Sequence, residues 1–331
     1  MTNPPRRLSR VLRVPCLVAI LLAPAAADAD EGGVPFWLSG QYASMSAVAP
    51  QAGWTLTLLP YYYNGSAGSS RTFPKGSALV TDLDSHTWLL NVQMQYAWDT
   101  KVLGGTPAVG VTWAAGNNAT AANAFPLPPS AGLQPTMSDS VNGGSDLYPI
   151  ATLSWAKDND NWMAYITGDI PTGAYNPQRL SNIGIGHAAI DAGGGYTYLN
   201  QKSGVEFTAV AGVTYNWENT RTHYRNGVDA HLDWAVSQFL SESWELGVVG
   251  YVYYQLTNDT YPTDGTLGEL RQQALGGFKS RVASVGPELG YVFKMGKQTG
   301  YLNLRGYWEF WAQNRLEGYA LFATVNLPLG N

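Results

Sequence analysis

The sequence holds a single cysteine and four histidines, and Lys, Arg, Asp and Glu make up only 13% of its 331 residues. An ordinary soluble domain carries roughly 25% charged residues. One cysteine excludes a disulfide scaffold. A net charge of −5 speaks against nucleic acid as a partner, because such binders neutralise phosphates with Lys and Arg. A membrane-spanning helix needs ~20 apolar residues. The longest run, Val14 to Ala27, is shorter and contains prolines. No G-x-S-x-G elbow is present, so a lipid hydrolase has no recognisable nucleophile. His231 with Asp229 and Asp233 resembles a ligand set, but alternate residues of one strand stand ~7 Å apart, too far for one metal ion without help from other strands. Neither a metal nor another cofactor is expected, and no catalytic residue.

Aromatic residues, by contrast, reach 12%, with 20 Tyr and 12 Trp, and there are 37 Gly. A disordered chain would lack these aromatics. The composition fits a large all-β protein.

The first 29 residues read as a secretory signal peptide. Arg6, Arg7, Arg10 and Arg13 form a basic start, Val14 to Leu22 a short apolar stretch, and Ala25-Ala26-Ala27 or Ala27-Asp28-Ala29 a cleavage site. Arg6-Arg7 lacks the rest of a twin-arginine motif, and Cys16 lies inside the apolar stretch rather than after a lipobox.

The rest reads as strands of period two joined by connections of alternating length. Short ones are 157–161, 200–204, 240–243 and 294–298. Long ones, rich in Gly, Pro, Asn and Ser, are 64–85, 116–145, 171–186, 218–227 and 258–278. Short turns on one rim and long loops on the other are the layout of an outer-membrane barrel. The expected fold is an all-β, antiparallel, up-and-down transmembrane barrel of about twelve strands, ten to fourteen being compatible, with short periplasmic turns and long extracellular loops. The strands are expected at 53–63, 86–100, 105–115, 146–157, 162–170, 187–200, 205–217, 227–239, 244–257, 279–294, 299–313 and 317–329. Residues 53–331 would form the barrel and 30–52 an N-terminal periplasmic or plug segment.

Each strand separates its residues by polarity. Val228, Ala230, Leu232, Trp234 and Val236 oppose Asp229, His231, Asp233, Ala235 and Ser237. Leu302, Leu304, Gly306, Trp308 and Phe310 oppose Tyr301, Asn303, Arg305, Tyr307 and Glu309. A barrel in lipid turns the apolar face out; a soluble sandwich shows the same alternation inverted. Trp and Tyr near strand ends, among them Trp54, Trp98, Trp113, Trp155, Trp162, Trp217 and Trp244, fit two interfacial girdles and favour the membrane. Outer-membrane lipid and lipopolysaccharide, and the barrel assembly machinery, are then the expected partners of a monomer in the cell outer membrane of a Gram-negative bacterium. The ending Asn326-Leu327-Pro328-Leu329-Gly330-Asn331 departs from the terminal aromatic of many such barrels.

Glu206, Asp229, His231, Asp233, Glu245, Glu288, Arg305, Tyr307 and Glu309 are the candidates to line the lumen. They fit either an acid-rimmed path or the internal bracing of a narrow barrel. Side chains fill an eight-stranded barrel and porins hold an open channel, so about twelve strands suit a partly plugged, selective path. Phe36, Trp37 and Leu38 lie ahead of the first strand and are too apolar to rest in water without cost. They would either enter the lumen as a plug or lie in a loose tail or along the membrane.

Phe36-Trp37-Leu38-Ser39-Gly40-Gln41 with Pro50-Gln51-Ala52-Gly53-Trp54 resembles the opening of the family named for the MetA pathway of phenol degradation. The resemblance continues through Gly168-Asp169-Ile170-Pro171-Thr172-Gly173-Ala174-Tyr175, Asn216-Trp217-Glu218-Asn219 and Tyr224 to Asp233. It ends with Gly286-Pro287-Glu288, Glu309-Phe310 and Asn314-Arg315-Leu316-Glu317-Gly318. It implies an outer-membrane barrel that passes small hydrophobic or aromatic solutes linked to aromatic catabolism, and it brings no established site residues. On this reading Tyr61-Tyr62-Tyr63 and Phe125-Pro126-Leu127-Pro128-Pro129 collect the solute in outer loops. A constriction forms near Asp229, His231, Arg305 and Glu309, and the N-terminal segment moves. An outer-membrane enzyme, a structural outer-membrane protein and, further off, a secreted soluble binding protein are the alternatives.

Overall fold

The computed structural model describes residues 32–75, 78–124 and 136–330. The proposed signal peptide and the Phe125–Pro129 stretch lie outside the described residues. The strands are β1 (Gly53–Lys75), β2 (Ala78–Ala97), β3 (Thr106–Ala124), β4 (Thr136–Gly144), β5 (Tyr148–Lys157), β6 (Asp160–Asp169), β7 (Ala189–Asn200), β8 (Val205–Asn216), β9 (Asp229–Phe239), β10 (Trp244–Gln255), β11 (Arg281–Met295), β12 (Gln298–Gln313) and β13 (Glu317–Gly330). Neighbours in sequence pair antiparallel except β4 and β5, and β1 also pairs with β13, from Trp54 opposite Gly330 to Ser66 opposite Glu317. The sheet thus closes into a barrel of 12 staves. The thirteenth strand does not add a stave. β4 and β5 both pair with β3, at Ala115–Asn123 and Thr106–Thr112 respectively, so together they form one broken stave.

The break has a local cause. Ser145 Oγ accepts the Ala114 N–H at 2.8 Å and the Ser145 N–H donates to the Ala114 carbonyl at 2.8 Å. This frees Asp146 to turn its carboxylate onto the N–H groups of Gly173 (2.6 Å) and Ile185 (2.9 Å). One buried acid therefore draws the loop after β6 towards the barrel mouth.

The faces are inverted relative to a soluble protein. On β12, Trp308 is 58% exposed while Arg305 is 5% exposed. Nothing but lipid makes that arrangement favourable, because an exposed indole and a buried guanidinium would each cost free energy in water. Trp88 and Trp98 stand on one outward face ten residues apart. That is ~33 Å of strand, or ~25 Å along the membrane normal at a tilt of ~40°, the height of an outer-membrane apolar band.

Several boundaries differ from the sequence expectation. The stretches 64–85 and 116–145 were expected as loops, but β1, β2, β3 and β4 continue through most of them as hairpin ribbons. Above the lipid neither face must be apolar, so Asn, Ser, Thr and Gly continue a ladder without the alternation that reveals a strand. Outward His86 and Asp84, whose side chains are 54% and 56% exposed, mark this part as lying in water. Tyr61, Tyr62 and Tyr63 belong to β1 rather than to an outer loop: Tyr61 packs on Phe322 and Tyr63 bonds Glu309 inside, while Tyr62 faces Tyr319 outside. The loop 258–278 contains an unanticipated helix, α1 (Gly265–Leu275), whose glycines and weak apolar period hid it. Leu275 and Phe278 are buried with Phe73, Leu83, Tyr224 and Leu316, an apolar cluster at the outer mouth.

Candidate functional site

Residues 32–50 run inside the barrel from the outer loops to the short-turn rim. At the outer end the Val34 N–H donates to the Ile183 carbonyl at 3.3 Å, and the Asn182 N–H donates to the Gly32 carbonyl at 2.8 Å. At the inner end Gln51 Nε2 donates to the Thr299 carbonyl at 2.9 Å, beside the β11–β12 turn. Between them the segment is held chiefly by β6 to β12. Asp233 accepts the N–H groups of Gly40 (2.9 Å) and Tyr42 (3.2 Å). Arg305 donates to the carbonyls of Gly40 (3.1 Å) and Gln41 (2.8 Å), and the Tyr307 hydroxyl donates to Gly40 (3.1 Å). The Ser44 hydroxyl lies 2.5 Å from Glu288 and 3.0 Å from Glu206, and the Met45 N–H donates to Glu206 at 3.0 Å. These backbone groups lack a sheet partner, so the wall's acids and Arg305 supply what a ladder would.

Glycine makes the approach possible. Gly40 has φ +85°, and a Cβ there would lie 2.8 Å from the Tyr307 ring. On the wall, Gly195 leaves room for Ala47, whose Cβ would be 3.3 Å from an added methyl.

All the expected lumen residues face inward, but they do not form one constriction. Asp229 is bonded to Tyr253 (2.6 Å) and Asn216 (2.9 Å). His231 is bonded to Asp191 (2.8 Å). Glu309 accepts from Tyr251 (2.7 Å), Tyr63 (2.8 Å) and the Gly318 N–H (2.9 Å). Arg305 pairs in register with Glu288 across β11 and β12 but gives its donors to the segment, Asn303 and Thr324. The expected constriction at Asp229, His231, Arg305 and Glu309 is therefore replaced by separate bonded groups, with the segment lying against the wall. The expectation failed because strand periodicity gives a residue's face and not its height or partner.

Phe36, Trp37 and Leu38 all contact this interior. Trp37 stacks on His231, Leu38 packs with Tyr251, Tyr307 and Phe322, and Phe36 meets Tyr148 at 5.8 Å. Sequence reasoning passed over Asp191 and Tyr165. Asp191 is an acid on the inward face of a strand that otherwise presents Gly193, Gly195 and Thr197, and that contrast was a usable signal. Among the described residues no three ligating side chains converge as a metal would need.

The segment leaves the opposite half of the lumen partly open. A cavity of about 530 Å³ lies between it and β1, β2, β3, β5, β12 and β13, with β6 and β11 at its edges. Thr57, Asn91, Gln93, Thr152, Thr324 and Asn326 line the wall side, and Phe36, Tyr42 and Met45 the segment side. Apart from Arg305, every lining residue is uncharged.

No curated protein sequence matches the chain. Among solved structures, the fold is similar to the COG4313 outer membrane channel from Pseudomonas putida F1, with a TM-score of 0.65 and 13% identity over 85% of this chain and 97% of that one. The transport unit of the autotransporter AIDA-I from Escherichia coli gives a TM-score of 0.45 and 8% identity over 87% and 93%. A Pseudomonas aeruginosa FadL homologue gives 0.40 and 9% over 93% and 99%. The closed barrel with its inverted faces, together with a family match over residues 69–325, places the chain in the outer membrane of a Gram-negative bacterium. Residues 69–325 match the family described as "Putative MetA-pathway of phenol degradation", and the chain belongs to that family.

Proposed function

We propose that this barrel is a channel by which small uncharged, hydrophobic or aromatic solutes cross the outer membrane, and that residues 32–50 must shift for it to conduct. The observation that carries the reading is the cavity of about 530 Å³ with its uncharged lining, bounded by aromatic and thioether side chains of the segment. An ion would meet no counter-charge there except Arg305, whose donors are in use. A neutral solute would exchange water for Thr, Asn and Gln side chains and aromatic surface at small cost. The family's description and the COG4313 channel agree with this reading. The chain would act as a monomer, without a cofactor and without catalysis.

The test is uptake of labelled phenol or toluene by cells with and without the gene, beside a heat-modifiability gel of the outer-membrane fraction. Gene-dependent uptake with a heat-shifted band supports the channel. A heat-shifted band without uptake removes it and favours a structural barrel. The bonded state of Asp229, Asp233 and Glu309 is the observation behind that second reading, since such groups also brace a wall. Deletion of residues 32–50 is expected to raise single-channel conductance, and unchanged conductance would remove the moving segment.

A further inference from the structure

Trp37 lies face to face on His231, with ring centroids 3.5 Å apart and planes at 21°. Tyr165 is nearly parallel to the same indole, at 25° and 5.9 Å. Trp37 is 4% exposed, yet it belongs to the segment and not to the wall. The wall alone therefore presents a recess that one planar ring fills.

The recess is built around Gly212 on β8. A Cβ there would lie 2.0 Å from the Tyr165 hydroxyl, 2.8 Å from His231 Cε1 and 2.9 Å from Asp191 Oδ1. Only glycine lets these three groups converge. His231 Nε2 is bonded to Asp191 Oδ2 at 2.8 Å. His231 Nδ1 and Trp37 Nε1 are buried without a hydrogen bond, and the Tyr165 hydroxyl and Asp191 Oδ1 are buried facing each other across Gly212 without a well-formed bond to anything else. Buried polar groups are costly to leave unmet. An indole carries one donor and no acceptor, whereas a hydroxyl both donates and accepts.

We propose that this recess is a binding site for a neutral planar aromatic bearing a hydroxyl, and that Trp37 occupies it as a built-in stand-in. The proposal rests on the channel reading and names the solute class of that path. Stacking on His231 and Tyr165 holds the ring, and the hydroxyl answers polar groups that the indole cannot. Asp191 and Asp233 on the neighbouring wall repel an anion, so the site takes the phenol and not the phenolate. Solute entry and withdrawal of residues 36–42 are then one exchange: the ligand takes the place of Trp37.

The test uses the full chain, purified in detergent and shown to be folded by its heat shift. Trp37→Ala empties the recess. Phenol and toluene, close in size and differing in the hydroxyl, are titrated calorimetrically. Phenol is expected to bind the variant at least ~10-fold more tightly than toluene, because a site built for a hydroxyl rejects the analogue that lacks it. Wild-type protein is expected to bind phenol more weakly than the variant, in competition with its own Trp37. Adding Asp191→Asn or Tyr165→Phe is expected to bring the phenol-to-toluene ratio near one. Tyr165→Phe removes one hydroxyl and little volume, so it carries the test if Asp191→Asn does not fold. Toluene binding as tightly as phenol would overturn the site and leave an apolar hole. Phenol uptake in the same strains separates the two claims. Uptake without the preference ends the recess and keeps the channel. The preference without gene-dependent uptake ends the channel and keeps the binding site.

Discussion

The carboxylate of Asp233 accepts the N–H of Gly40 at 2.9 Å, across 193 positions of sequence. It also accepts the N–H of Tyr42 at 3.2 Å. A hydrogen bond to a charged group contributes about 1.5–3 kcal/mol. Asp233→Ala is therefore expected to weaken the seating of residues 32–50 by ~2 kcal/mol and leave the barrel closed. Protease added to the periplasmic side of proteoliposomes should then cut the segment roughly 10-fold faster or more, with an unchanged heat shift. An unaltered cutting rate would assign the seating to Arg305 and Glu206 instead.

Gly40→Ala tests the same joint from the segment's side. The new methyl would meet the Tyr307 ring at 2.8 Å in a backbone with φ +85°. The left-handed conformation alone costs about 1–2 kcal/mol for an L residue. Faster proteolysis of the segment is expected, with thermal unfolding of the barrel unchanged. Ser39→Ala, next to it and without the positive φ, should leave the cutting rate as it was.

The outer loop 171–186 has a pH dependence of known sign. Arg179 holds Asp139 through two hydrogen bonds, 2.6 and 3.0 Å, and the Ser181 N–H adds a third at 3.1 Å. Above the lipid, this guanidinium holds the Asp139 carboxyl below its ordinary value of 3.8. The unfolded loop therefore takes up a proton before the folded one does. The tie is fully present above about pH 4 and is lost as pH falls through the lowered value. Hydrogen exchange of residues 176–184 should stay slow from neutral pH to about 5 and speed up below 4, beyond the intrinsic pH effect. Arg179→Gln should abolish the difference.

Leu304 is 44% exposed on the outward face of β12. Leu304→Arg is expected to cost about 2–4 kcal/mol in a bilayer, because mid-wall positions have no polar partner. Urea unfolding in lipid vesicles measures it. A loss under 1 kcal/mol would place Leu304 near an interface.

Much of the fold was legible in the sequence, because a membrane wall imposes a strict pattern. Lipid tolerates no polar outward group, so Trp308 and Leu304 alternate with Arg305 and Tyr307 on β12. Above the lipid that constraint ends, and β1 to β4 continue unseen through residues 64–75, 78–85, 116–124 and 136–144. Periodicity also told that Asp229, His231, Asp233 and Arg305 face inward. It could not tell height or partner, which depend on stagger and on strands distant in sequence. Tertiary structure alone decided that Asp233 and Arg305 seat Gly40, that Asp229 and Glu309 bond elsewhere, and that Gly212 draws Tyr165, Asp191 and His231 together around the ring of Trp37. Those contacts join residues up to 265 positions apart, and closure of the barrel around its own N-terminal segment is what makes them neighbours.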